Sequence, residues 1–152
     1  MITPNTTLRL TNISKKKVGQ IPIDAPLISI SDKYSPGAAI PNKDNRPLLR
    51  IDFFPGDHMS EDERDHCMRP ELAKKIFDFV NEHKDKGLIY VNCGEGRIRS
   101  YTVVDTLESL LFEQGVRRDS SLACIKQGVT DRYTYRKLVE YYERYIEDGE
   151  DK

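Results

Sequence analysis

The feature that most constrains the fold is the run Leu88-Ile-Tyr-Val91, which follows Gly87 with no polar interruption and leads into Asn92-Cys93-Gly-Glu-Gly-Arg-Ile-Arg99-Ser100. An unbroken apolar run of this length suits a strand that is covered on both faces, so other elements must be layered over it. Beyond Arg99 the apolar residues Val103, Val104, Leu107, Leu110 and Leu111 recur at helical spacing as far as Gly115. The stretch therefore predicts a buried strand, a tight glycine-bearing turn and a helix, in that order.

Such a turn aims several backbone N–H groups and the positive end of a helix dipole at one point, a geometry that holds a phosphate. Cys93 closes the strand, and a sulfur in that field is favoured as thiolate, the form that acts as a nucleophile. Arg99 offers a planar fork of donors that grips two phosphoryl oxygens at once and meets charge developing in an in-line transfer. Gly94 and Gly96 let the backbone turn without a Cβ in the way, and Ser100 supplies a hydroxyl that can donate to the sulfur.

The pattern C-x-x-G-x-x-R-S, carried by Cys93, Gly96, Arg99 and Ser100, resembles the phosphate-binding loop of the cysteine-dependent protein tyrosine and dual-specificity phosphatases. The resemblance is close over the loop and covers the rest in outline. It implies a mostly parallel sheet of four or five strands flanked by helices, with the loop at the carboxyl end of a central strand. It also implies a phosphocysteine mechanism with Cys93 as nucleophile, Arg99 and the loop residues Gly94, Glu95, Gly96, Arg97 and Ile98 around the phosphate, and Ser100 steadying the departing sulfur. No cofactor or metal is implied, since backbone dipoles and Arg99 supply the electrostatics.

Two departures stand out. The family usually has His just before the nucleophile, where this chain has Asn92, a hydrogen-bonding group but not an imidazole. It also has small residues where this chain has Glu95, a carboxylate that opposes an anionic substrate and that Arg97 offsets; phosphoinositide phosphatases of the superfamily carry a base at the Arg97 slot. The resemblance further places a general acid on a loop that follows an upstream strand. Residues 48–54 read as that strand, broken by Phe54-Pro-Gly-Asp57, so Asp57 is the first choice, with Asp62 and Asp52 as competitors. The implied substrate is a phosphorylated protein or another phosphomonoester, with phosphoinositide and RNA 5′-phosphate as further options. A catalytically silent phosphate-binding module is the alternative that Asn92 and Glu95 favour.

A chain of 152 residues with 38% apolar and 32% charged side chains fits one globular domain able to bury a core without staples. Its net charge of −1 argues against bulk electrostatic binding of nucleic acid. Cys67, Cys93 and Cys124 are odd in number and irregularly spaced, which favours a reducing, cytoplasmic setting, as does the lack of an apolar run near the ~20 residues that span a bilayer.

The remaining segments punctuate an α/β order of strands and helices. Residues 8–12 and 26–31 read as strands, Lys15-Lys-Lys17 as a solvated turn, and 33–46 as a surface loop rich in Pro, Gly and Asn. Ser60 with Glu63 matches a capping box opening a helical stretch to Cys67. From Pro70, Leu72, Ala73, Ile76, Phe79 and Val80 mark one face of a helix that Gly87 stops. Residues 117–119 read as a charged connection, 122–125 as a short helix holding Cys124 as a small core residue, and a last helix runs from a cap at Thr130 or Asp131 to about Ile146. Tyr135, Leu138, Val139, Tyr142 and Ile146 form its packing face. His83 reads as a surface residue near a helix end, whereas His58 stands beside Asp57.

Overall fold

The computed structural model describes residues 7–32, 37–57, 59–119 and 128–147. The apolar run becomes the central strand of a five-stranded sheet: β1 (Leu8–Ser14), β2 (Leu27–Ser31), β3 (Leu48–Asp52), β4 (Leu88–Cys93) and β5 (Val116–Arg118), in the order β3-β2-β4-β1-β5. Every pairing is parallel, with Asn12 opposite Val91 and Ile28 opposite Val91 on β4's two flanks. Parallel strands cannot be joined by hairpins, so each connection crosses over the sheet. Helix α1 (Pro70–His83) carries the chain from β3 to β4, and α2 (Arg99–Leu111) carries it from β4 to β5.

Side chains alternate across the strands. Leu8, Leu10, Ile28, Ile30, Ile51, Ile89 and Val91 form one core with the apolar faces of α1, α2 and α3 (Arg132–Tyr141). On α1 this face is Leu72, Ala73, Ile76, Phe79 and Val80 as the spacing predicts, joined by Phe77, which stacks on Tyr141. The opposite side of the sheet carries Ile13 and Leu27, covered by Val18 and Ile21 and by Ala38 and Ile40. That second layer is thin: a 3-10 helix (Lys15–Gln20) and the irregular segment 37–47. The architecture is thus α/β, a parallel sheet flanked by helices. No helix among the described residues is long and apolar enough to cross a membrane.

Three expectations change. Arg117 and Arg118, expected with Asp119 as a charged connection, join Val116 in an edge strand paired with Leu8 to Leu10. Only Val116 on it is fully buried, so it shows no apolar run; Arg117 and Arg118 instead lay their guanidinium groups over the rings of Phe112 and Tyr101. Tyr135, expected on the packed face of the last helix, is exposed, and after Tyr141 the helix widens into a π-helical turn (Tyr142–Glu147). The loop expected over 33–46 is not all surface: Ala38, Ile40 and Arg46 are buried. The proposed short helix at 122–125, Cys124 and His58 lie outside the described residues.

Arg46 shows what fixes that second layer. Its guanidinium donates to the carbonyls of Ala25 (2.7 and 3.1 Å), Pro22 (3.1 Å) and Pro41 (3.3 Å), stitching three loop segments that have no ladder partners of their own. Burial pulls this guanidinium below its ordinary pKa, and the charge of Asp24 pulls it back up. Arg46→Ala leaves several carbonyls without a donor and is expected to lower the urea-unfolding free energy by about 2–4 kcal/mol. Arg46→Lys, which cannot span three carbonyls, should recover less than half of that loss.

Candidate functional site

The carboxyl end of β4 places Cys93 at the floor of a cavity of about 240 Å³ lined by Pro55, Cys93, Gly94, Glu95, Arg97, Ile98 and Arg99. Cys93 is 3% exposed and belongs to the helix-covered core, and it lines this cavity. Two groups from the first turn of α2 meet the sulfur: the Ser100 amide donates to Sγ at 3.4 Å, and the Ser100 hydroxyl lies 3.2 Å away.

The loop between β4 and α2 is oriented from outside. The Gly94 carbonyl accepts from the Lys15 amide (3.0 Å), that of Arg97 from the Val129 amide (2.7 Å), and that of Ile98 from the Thr102 amide (2.8 Å). Buried Asn12, on β1, donates its side-chain amide to the Gly96 carbonyl at 2.9 Å. Three of these carbonyls are bonded from outside the loop and that of Ile98 starts the α2 ladder, while the amides of Glu95, Gly96, Arg97 and Ile98 find no acceptor among the described residues. That is an anion cup of the kind formed at helix N-termini. Gly96 is what permits it. It sits at φ +79°, and a Cβ there would come within 2.6 Å of the Ile13 carbonyl carbon and 2.8 Å of the Ser14 nitrogen.

Arg99 begins α2, and its side chain is only 15% exposed. Its Nη1 donates to the Phe53 carbonyl (3.1 Å) and to Asp32 Oδ2 (3.4 Å). Both contacts use one nitrogen. Nε and Nη2 meet no acceptor among the described residues, and that free edge of the guanidinium is the pair of donors a phosphoryl group would bridge. Asp32, missed by the sequence reading, follows β2, whose carboxyl end lies beside that of β4.

The predicted site residues do not all converge. Cys93, Gly94, Glu95, Arg97, Ile98 and Arg99 line one cavity, with Glu95, Arg97 and Ile98 on its exposed rim and buried Gly96 and Ser100 behind it. Asn92 points to the other side of the sheet from Cys93, in register with Ser29. Its amide reaches the Cys93 carbonyl at 3.4 Å, while its buried Oδ1 has no partner among the described residues, beside a 60 Å³ cavity shared with Lys15, Gly94 and Arg99.

Asp57 is held elsewhere. Its carboxylate accepts from the amides of Arg132 (2.8 Å) and Tyr133 (2.9 Å) at the start of α3. Asp131 answers by accepting from the amides of Gly56 (2.8 Å) and Asp57 (2.9 Å), and from Thr134. Both oxygens of Asp57 are therefore engaged away from the sulfur, although Pro55, two residues earlier, lines the Cys93 cavity. Asp62 is exposed on a 3-10 turn (Glu61–His66), where Glu63 accepts from the amide and hydroxyl of Ser60 as the capping box predicts. Asp52 accepts from the Ser31 hydroxyl and shares a 190 Å³ pocket with Asp32, Phe53, Phe54, His66 and Arg69. Cys67 does not compete as a nucleophile: burial, reinforced by the Asp131 carboxylate, pushes its thiol up, keeping it in the unreactive form at neutral pH.

No protein-family model matches this sequence, and no curated protein matches it either.

The loop geometry is tested most directly at Gly96. Gly96→Ala forces a Cβ into the backbone of β1 at a positive φ, with an expected stability loss of about 2–4 kcal/mol in chemical denaturation. Gly94→Ala, where a Cβ meets nothing within 4 Å, serves as the comparison and should cost less than a third as much.

Proposed function

We propose that the protein is a metal-independent phosphatase that hydrolyses phosphomonoesters through a phosphocysteine intermediate, in the manner of the cysteine-dependent tyrosine and dual-specificity phosphatases its loop resembles. The observation that carries this reading is that Cys93, Arg99 and the loop residues between them line one cavity, with loop amides and one guanidinium edge of Arg99 lacking acceptors among the described residues. Together they suit a tetrahedral dianion. The substrate class in this reading is a phosphorylated protein, with phosphotyrosine first and phosphoserine or phosphothreonine second, in a cytoplasmic setting.

In the proposed reaction the phosphate settles into the amide cup with two oxygens on Arg99. The Cys93 thiolate attacks phosphorus opposite the ester oxygen; the S–P bond forms as the P–O bond breaks, and an acid protonates the leaving oxygen. Negative charge on the equatorial oxygens is met by amide dipoles and the guanidinium, which need no reorganisation during the step. Water then attacks phosphorus as the S–P bond breaks, the ionised acid of the first step takes the water's proton, inorganic phosphate leaves, and the Ser100 hydroxyl, 3.2 Å from the sulfur, donates to the returning thiolate.

Asp57 acts as the acid in this scheme only when its carboxylate leaves the α3 amides, which places a conformational step before protonation. The same engagement favours a second reading, a phosphate-binding module without turnover, because among the described residues the carboxylate that lines the Cys93 cavity is that of Glu95, on its exposed rim, and not that of an aspartate. Phosphate release separates the two.

Cys93→Ser is expected to reduce para-nitrophenyl phosphate hydrolysis by at least about a thousandfold while retaining vanadate or phosphate binding. Undiminished turnover would remove the nucleophile assignment. If Asp57 is the acid, Asp57→Ala slows alkyl phosphates by about two to four orders of magnitude and para-nitrophenyl phosphate far less. The same signature in Asp52→Ala or Asp62→Ala would move the role there.

A further inference from the structure

Behind the Cys93 loop, on the sheet face covered by the thin second layer, the buried Oδ1 of Asn92 has no partner among the described residues. Buried oxygens in proteins almost always receive a hydrogen bond from protein or water, so this one marks a place where a donor belongs. The Asn92 amide nitrogen donates to the Cys93 carbonyl at 3.4 Å, and that contact settles which end of the side chain is oxygen. Oδ1 is left for the cavity of about 60 Å³ that Asn92 lines together with Lys15, Ser31, Gly94 and Arg99.

This cavity fits water in size and in lining. Its volume is about twice the ~30 Å³ that a molecule occupies in the liquid, and Asn92, Ser31 and Arg99 offer the three hydrogen bonds typical of a buried water. Ser31 gives its hydroxyl hydrogen to Asp52, which keeps its oxygen as an acceptor. Arg99 has five N–H hydrogens to place. Those of Nη1 go to the Phe53 carbonyl and to Asp32. One from Nε and one from Nη2 form the edge that a phosphoryl group bridges in the proposed reaction. A single Nη2 hydrogen remains, and Arg99 lines this cavity as well as the one above Cys93.

We infer that this cavity is a water site, whose water accepts from the remaining Nη2 hydrogen of Arg99 while donating to Asn92 Oδ1 and Ser31 Oγ. Asn92 is then a positioning residue that acts on the guanidinium through the water. A planar group tethered at Nη1 alone can still swing about that tether; a second tether on Nη2 fixes the plane in which the phosphoryl edge lies. The inference rests on the proposed reading of the Cys93 loop as a phosphate site and deepens it, adding the residue before the nucleophile to the parts that set the grip on phosphate.

Two measurements test it. A crystal structure at a resolution that shows ordered water should place one within about 3.2 Å of both Asn92 Oδ1 and an Arg99 nitrogen. The Lys15 ammonium in that place, or no density between the two groups, overturns the inference, and this result does not depend on any variant folding. Affinity for inorganic phosphate is then read from amide shifts in NMR titrations of the Cys93→Ser protein with and without Asn92→Leu, which keeps the branched outline of asparagine and cannot accept. The loss should be about threefold to twelvefold, the net worth of one hydrogen bond. In an Arg99→Lys background, where no planar fork exists to be held, the same substitution should change the affinity by less than about twofold. A loss below about twofold in the first pair, or a loss of the same size in both backgrounds, which would assign Asn92 to the shape of the loop alone, overturns the inference. If the Cys93→Ser protein itself binds no phosphate, the phosphate-site reading falls and the inference with it, a result distinct from binding that ignores Asn92.

Discussion

The site depends on one constraint, that the peptide carbonyls between β4 and α2 be pulled outward. A turn of this length can present either dipole end to its interior, and an interior lined with oxygen repels an anion. Here β1 decides the matter, since the Lys15 amide takes the Gly94 carbonyl and the Asn12 side chain takes that of Gly96. Asn12 lies on the strand next to β4 in a parallel pairing and Lys15 is the first residue after that strand, so sheet order and loop polarity are linked. Asn12 is fully buried, and a buried amide left without an acceptor costs about 1–3 kcal/mol; the loop and the strand therefore enforce each other.

The same logic governs Arg99. A guanidinium with 15% of its side chain exposed is expensive to hold unless paired, and Asp32 and the Phe53 carbonyl hold it from the carboxyl ends of β2 and β3. Because both contacts fall on Nη1, the fork is oriented without being used up. Asp32 is then a positioning residue that acts through the arginine. Its position follows from topology: the carboxyl ends of adjacent parallel strands gather on one edge, the place where open α/β sheets collect their sites.

How much of this could be read from the chain differs by element. β4, α1 and α2 were legible because long apolar periodicity and their stops at Gly87 and Gly115 are local signals. The cup was legible at Cys93, Gly96, Arg99 and Ser100 because those residue types at that spacing have few other uses. Asp32 and Asn12 were not, since nothing nearby in sequence says that β2 and β1 will flank β4. β5 was missed for a related reason: three residues with one buried side chain carry no period, and only pairing with Leu8 to Leu10 makes them a strand. Arg46 was hidden in a stretch whose Pro and Asn content suits a solvated loop, because a buried cation satisfied by carbonyls leaves no mark in composition.

Asp57, the first choice for a general acid from the sequence, is held in the structure by contacts of another kind. The segment after β3 is clasped to α3 by a reciprocal exchange, with Asp57 accepting from α3 amides while Asp131 accepts from the amides of Gly56 and Asp57. Tyr133 lies so close over Gly56 that a Cβ there would come within 2.5 Å of its ring, and Arg64 stacks on that ring from 4.7 Å. Asp131 also donates its own amide to Thr102 on α2, so the clasp reaches the helix that starts at Arg99. Releasing Asp57 alone frees two α3 amides, whereas the Asp131 side of the clasp is buried with Thr134. In the proposed reaction a carboxylate at this joint would have to exchange its two α3 amides for the leaving group, and it starts that exchange two residues from Pro55 on the cavity wall.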